Sequence, residues 1–198
     1  GLIGLVGLYE ESGRTATQLA DAIRGKIGAL REVYRLINST GLDRVELREL
    51  LTNVIGGLAP VIEPGMVSID GPSTTLGSGE ASAIAMITQE LITNSMKHGA
   101  LRSDAGPDAR VRVKWDLRTE GEFTLLSLVW LESPVGTRTS RAESGSGVGL
   151  PLVEGFAQTD LRGDIRYASS NGEWRVDLLA RLKSAPAAPI GAPLEVLS

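Results

Sequence analysis

The sequence predicts an α+β chain in which a helical hairpin leads into a domain of interspersed helices and strands. Three observations predict it. Residues 15–37 and 81–97 repeat their apolar positions at three- and four-residue steps. Residues 111–117 alternate apolar with polar side chains, and Asn171-Gly172 separates two apolar runs as the turn of a β-hairpin does.

The opening residues 1–8 (GLIGLVGL) are apolar but too short to span a bilayer, and no basic residues precede them as in a signal peptide. They read as the end of a helix. Ser12-Gly13 interrupts the pattern, and Leu19, Ile23, Ile27, Leu30, Tyr34 and Ile37 form the apolar stripe of a second helix. Residues 1–40 are therefore a helical hairpin whose stripe needs a partner, which points to a homodimer. Asp43 is placed to cap a short helix carrying Leu47, Leu50, Leu51 and Val54, which ends at Gly56-Gly57.

Strand is predicted at residues 66–70, with a turn at Gly71-Pro72, and helix at 81–97. Residues 123–131 are apolar on both faces, as a central strand is. A short helix over 150–156 and strands at 161–167 and 174–182 complete the domain. Residues 185–198 are rich in proline and alanine, the composition of an extended tail.

With 198 residues and 42% hydrophobic residues the chain can bury one substantial core. A net charge of -4 with interspersed signs argues against a nucleic-acid partner. The lack of cysteine excludes disulfides and thiolate metal clusters and fits a cytoplasmic setting, and a single histidine excludes a multi-histidine metal site. No Gly-Lys-Ser/Thr follows a glycine loop, so a Walker-type phosphate loop is absent.

Glu90, Asn94 and Lys97 share one face of the 81–97 helix, being four and three residues apart. A carboxylate, an amide oxygen and an ammonium suit a magnesium-triphosphate group, because the hard cation takes oxygen ligands and the lysine offsets phosphate charge. Taken alone, such a triplet is more often a solvated helix face. Trp130 and Glu132 point to the same side of their strand, with the carboxylate at its end, where it suits the exocyclic amine of adenine. Alone, that pair is an ordinary strand ending.

Gly145, Gly147, Gly149 and Leu150 precede a helix whose early Pro151 suits a first turn, so backbone amides there suit phosphate oxygens. A flexible strand-to-helix connection accounts for such a loop equally well. His98 reads as readily as a helix-end residue near backbone carbonyls as it does as a functional one.

Taken in order, Gly71-Pro72, ELITNSMKHGAL at 90–101, VWLE at 129–132 and GSGVGL at 145–150 resemble the catalytic domain of the HWE histidine kinases. By that resemblance His98 takes the place of the N-box histidine, and Trp130 with Glu132 that of the Trp-x-Glu, from which the family is named. The segment AIRGKIGALREVYRLI is similar to a second dimerisation helix.

The resemblance implies a Bergerat-type ATP-binding fold, a two-layer α/β sandwich with helices on one face of a mixed sheet, over residues 41–184. It implies magnesium on Asn94, a catalytic carboxylate at Glu90, Lys97 and His98 near the phosphates, and Glu132 at adenine. The three glycines and Leu150 would frame a lid over residues 137–146. The implied activity is transfer of the ATP γ-phosphoryl group to a histidine and on to an aspartate of a response-regulator receiver domain. The acceptor histidine would fall before Gly1, so self-phosphorylation of this segment is not expected. One departure is Ser133-Pro134-Val135, where the family has glycines and a proline. It favours one alternative, a docking or phosphotransfer scaffold with a decayed nucleotide site. A second alternative, an anti-sigma serine kinase, would lack the leading hairpin.

Overall fold

The computed structural model describes residues 44–58, 62–63, 65–134 and 149–183, with 24, 27–28, 31 and 33–35 before them. The described positions before residue 44 are helical, and Val33 is buried. The remainder of the predicted hairpin, the lid and the tail lie outside the described residues.

The domain opens with β1 (Arg44–Glu46), α1 (Leu47–Leu58), β2 (Val67–Asp70), β3 (Thr75–Gly77) and α2 (Ser78–His98). It continues with β4 (Arg110–Glu120), β5 (Phe123–Ser133), α3 (Gly149–Gly155), a π-helical turn at Phe156–Asp160, β6 (Asp164–Ser170) and β7 (Glu173–Leu182). Strands β2-β4-β5-β7-β6 form one sheet, in which β2 runs parallel to β4 and every other pair is antiparallel. The predicted mixed sheet is thus present, with β5 at its centre.

Period-two alternation decides which face is dry. Val111, Val113 and Trp115 of β4, Leu126, Leu128 and Trp130 of β5, and Trp174, Val176 and Leu178 of β7 are buried. The alternate positions Arg112, Lys114 and Asp116 of β4 and Arg175 and Arg181 of β7 are exposed. On β5 the outward Leu125, Val129 and Leu131 are half-buried, which explains why that strand reads as apolar on both faces. The buried side packs against α1, α2 and α3, whose apolar residues complete one core. The β6–β7 turn is as predicted: Asn171 at φ 50° and Gly172 at φ 75° take the paired left-handed conformations of a type I′ turn.

Two short strands escape the sequence pattern. β1 pairs antiparallel with β3, Val45 opposite Leu76, in a separate two-stranded sheet. Asp43, the expected cap of α1, lies outside the described residues, and the strand Arg44–Glu46 comes between it and the helix. The capping role belongs to Glu46, whose carboxylate accepts hydrogen bonds from the backbone N–H groups of Arg48 and Glu49 and, through Oε1, from Thr74 at 3.1 Å. Two of the orphan donors at the helix start are thereby satisfied. Glu46→Ala is expected to lower stability by about 1–2 kcal/mol, read as a reduced urea midpoint, because it removes a cap and a loop anchor together.

The predicted strand at 161–167 begins three residues late, at Asp164. Leu161 closes the π-helical turn instead, donating its N–H to Phe156 O at 3.1 Å and accepting from Arg181 N at 2.9 Å. Its apolar side chain is buried in the core at that turn, so its apolarity does not reflect strand pairing.

Candidate functional site

Helix α2 carries most of the predicted site, and its ends are fixed by different chemistry. At its start the Glu80 carboxylate accepts from Gly77 N at 2.9 Å and from Lys183 N at 2.6 Å, which lets the helix begin three residues before the apolar repeat does. At its end Gly99 donates its N–H to Ser95 O at 2.9 Å.

Between these ends Glu90 and Asn94 are successive members of one face. Glu90 is 8% exposed, Asn94 is half-buried, and Lys97 and His98 are exposed in the last turn. The polarity gradient along this face runs from a buried carboxylate to exposed cationic and imidazole side chains. Positive groups in the last turn also complement the helix dipole.

Helix α3 and the π-helical turn pack beside α2, so the segment that follows the predicted lid returns against the helix carrying Glu90 and Asn94. Gly149 and Leu150 open α3, and Pro151 is exposed in its first turn, where a missing N–H costs nothing. Gly145, Gly147 and residues 137–146 lie outside the described residues.

Glu132 occupies a different place from the rim position that the sequence suggested. It is 0% exposed, and its carboxylate accepts from Ser95 Oγ at 2.5 Å, Ala100 N at 2.9 Å and Trp130 Nε1 at 3.1 Å. Trp130 and Glu132 do share a face, but it is the helix-covered one. Sequence reasoning missed Ser95 and Ala100 as partners of this carboxylate. Ser95 lies 37 residues from Glu132 in the chain, and no spacing links them.

After α2 the Arg102 guanidinium hydrogen-bonds the Asp104 carboxylate, through Nε at 2.7 Å, and holds that carboxyl below its usual value. The pairing is complete above the ordinary carboxylate pKa and is lost as pH falls through the lowered one. A cavity of about 370 Å³ lies at the opposite end of α2, lined by Arg44, Gly77, Ser78, Gly79, Glu80, Asp160, Arg162, Arg181 and Lys183. It contains none of the predicted site residues. Among the described residues no cluster of three His, Asp or Glu side chains forms a self-contained metal site, and no helix is long and apolar enough to cross a membrane.

No family model matches the chain. It is 29% identical over 158 residues, 78% of its length, to blue-light-activated histidine kinase 1 of Erythrobacter litoralis. The chain is a homologue of blue-light-activated histidine kinases. A second such kinase, from Rhizobium johnstonii, is 24% identical over 159 residues and 80% of the chain. The chain spans 42% and 43% of the length of these two relatives.

The fold agrees with the homology. The histidine kinase domain of the Erythrobacter litoralis EL346 blue-light-activated kinase matches with a TM-score of 0.62 at 14% identity, covering 81% of this chain and 75% of that one. The ATP-binding domain of PrrB from Mycobacterium tuberculosis matches with a TM-score of 0.51 at 20% identity, over 71% of this chain and 97% of its own length. The five-stranded sheet with α1, α2 and α3 therefore has the fold of a histidine-kinase ATP-binding domain.

Proposed function

We propose that this domain binds ATP with magnesium and presents the γ-phosphoryl group to a histidine, as the catalytic domain of an HWE-type sensor kinase. The observation that carries the reading is the graded face of α2, with Glu90 buried, Asn94 half-buried and Lys97 exposed, on a domain homologous to histidine kinases. The donor set fits the ion: Asn94 and Glu90 supply oxygen atoms, and magnesium ordinarily completes its shell with water and substrate phosphates.

In this reading Asn94 holds the metal through its amide oxygen and Glu90, one turn earlier, orients the reacting end. Lys97, with His98 beside it, offsets charge on the phosphates, which in phosphoryl transfer is the main work left to the protein. A magnesium ion held by Asn94 would supply further positive charge to offset that of the phosphates. Gly145, Gly147, Gly149 and Leu150 frame the segment that covers the nucleotide. The receiver aspartate of a response regulator is the eventual acceptor, and the leading helices pair with a second copy in the cytoplasm.

Calorimetric titration with a non-hydrolysable ATP analogue, with and without magnesium, tests this reading. Magnesium-dependent binding is the expected result. The absence of binding would favour a scaffold whose nucleotide site has decayed, for which Ser133-Pro134-Val135 is the sequence argument.

A further inference from the structure

Lys97 and His98 protrude from a turn that is pinned on both sides by a single side chain. On one side Ser95 Oγ lies 2.5 Å from Glu132 Oε1; on the other, Ala100 N donates to Glu132 Oε2 at 2.9 Å. The carboxylate is itself aimed by the Trp130 indole N–H at 3.1 Å, and Glu132, Ser95 and Ala100 are all essentially inaccessible to solvent.

Gly99 shows how closely the turn is fitted to this group. A Cβ at position 99 would fall 1.8 Å from Glu132 Oε2, 2.7 Å from Ser95 Cα and 2.8 Å from the Glu132 carboxyl carbon. The backbone there, φ -114° and ψ -151°, is extended and open to any residue, so glycine is required by space and not by conformation. The carboxylate and the Ser95 backbone together fill the volume that a side chain at 99 would need, and the chain turns around them.

A carboxylate has about four acceptor directions, and three are already taken here by protein donors. Contact with a base would require opening a buried network in which each donor would lose its partner. We infer that Glu132 is a positioning residue, which sets the turn carrying Lys97 and His98 at the phosphate end of the site and does not touch adenine. The inference rests on the nucleotide reading above for its functional half; its structural half stands without it.

The test uses the whole chain and the variant Glu132→Gln, which keeps the side chain's size but replaces one acceptor oxygen with a donor. Two-dimensional amide NMR reads the turn directly, with or without nucleotide. The expected result is a shift of the Trp130 indole and Ala100 signals that extends to the amides of Lys97 and His98, while the strand signals away from β5 hold. Shifts confined to Trp130 would overturn the inference.

Titration reads the functional half. Glu132→Gln is expected to weaken an ATP analogue and a GTP analogue by the same factor, about tenfold, with their ratio unchanged. Selective loss of the ATP analogue would make Glu132 a base contact and overturn the proposal, as would unchanged affinity for both. Gly99→Ala drives a Cβ into the Glu132 carboxylate and the Ser95 backbone, so it displaces the turn without removing the carboxylate, and it is expected to weaken both analogues equally; selective loss of one would overturn the proposal. If the unmodified chain binds neither analogue, the nucleotide reading fails, and the NMR arm alone decides whether Glu132 sets the turn.

Discussion

Trp130→Ala is expected to lower the unfolding free energy by about 3–5 kcal/mol, the range for removing a buried aromatic side chain. Trp130 is 1% exposed on the central strand, with Val113 and Val176 directly beside it on the neighbouring strands. Truncation would therefore leave a cavity walled on both sides by strands already paired, with little freedom to collapse. It would also take one donor from the buried Glu132 carboxylate. Since domains of this size are typically stable by about 5–15 kcal/mol, the variant should unfold at a much lower urea concentration. A midpoint within error of the unmodified chain would mean that Trp130 is not central to the core.

Asn94→Asp is expected to weaken magnesium-dependent binding of an ATP analogue by at least about tenfold, or roughly 1.4 kcal/mol, while changing stability by less than about 1 kcal/mol. The two halves of this prediction have separate origins. Asn94 is half-buried on the face of α2, so folding has little at stake in its amide. The substitution adds a negative charge on a half-buried helix face where the proposed triphosphate is to sit, and the two repel. Calorimetry with the analogue and a thermal melt on the same sample separate the two. Unchanged affinity would remove Asn94 from the metal site.

Much of this architecture was legible because it is written in period and composition. The apolar spacing of residues 81–97 gave α2, the alternation at 111–117 gave β4, and Asn171-Gly172 gave the last hairpin. β1 and β3 were illegible because each is three residues long, too short for alternation to register against chance. Glu46 as the cap of α1 is not legible, because side-chain type alone favours an aspartate over a glutamate at a helix start. The strand after the π-helical turn was begun early because Leu161 is apolar for the sake of the turn's packing.

The site divided along similar lines. Helical spacing was enough to place Glu90, Asn94 and Lys97 on one face. It was not enough for Glu132, because a carboxylate at the end of a strand is ordinarily on the rim, and only a long-range partner such as Ser95 can make its burial tolerable. That partner is a contact of tertiary structure, and the sequence holds no local record of it.

Helix α2 is 21 residues long, about 30 Å from end to end at the usual rise, and a glutamate clamps each end. Glu80 ties its first turn to the backbone beyond β7, and Glu132 ties its last turn to β5. A beam held in this way tilts with its supports before it bends between them. Any force applied at Lys183 would therefore reach Lys97 as a rotation of sheet and helix together. Lys97 is thus held in register with the sheet through both tethers.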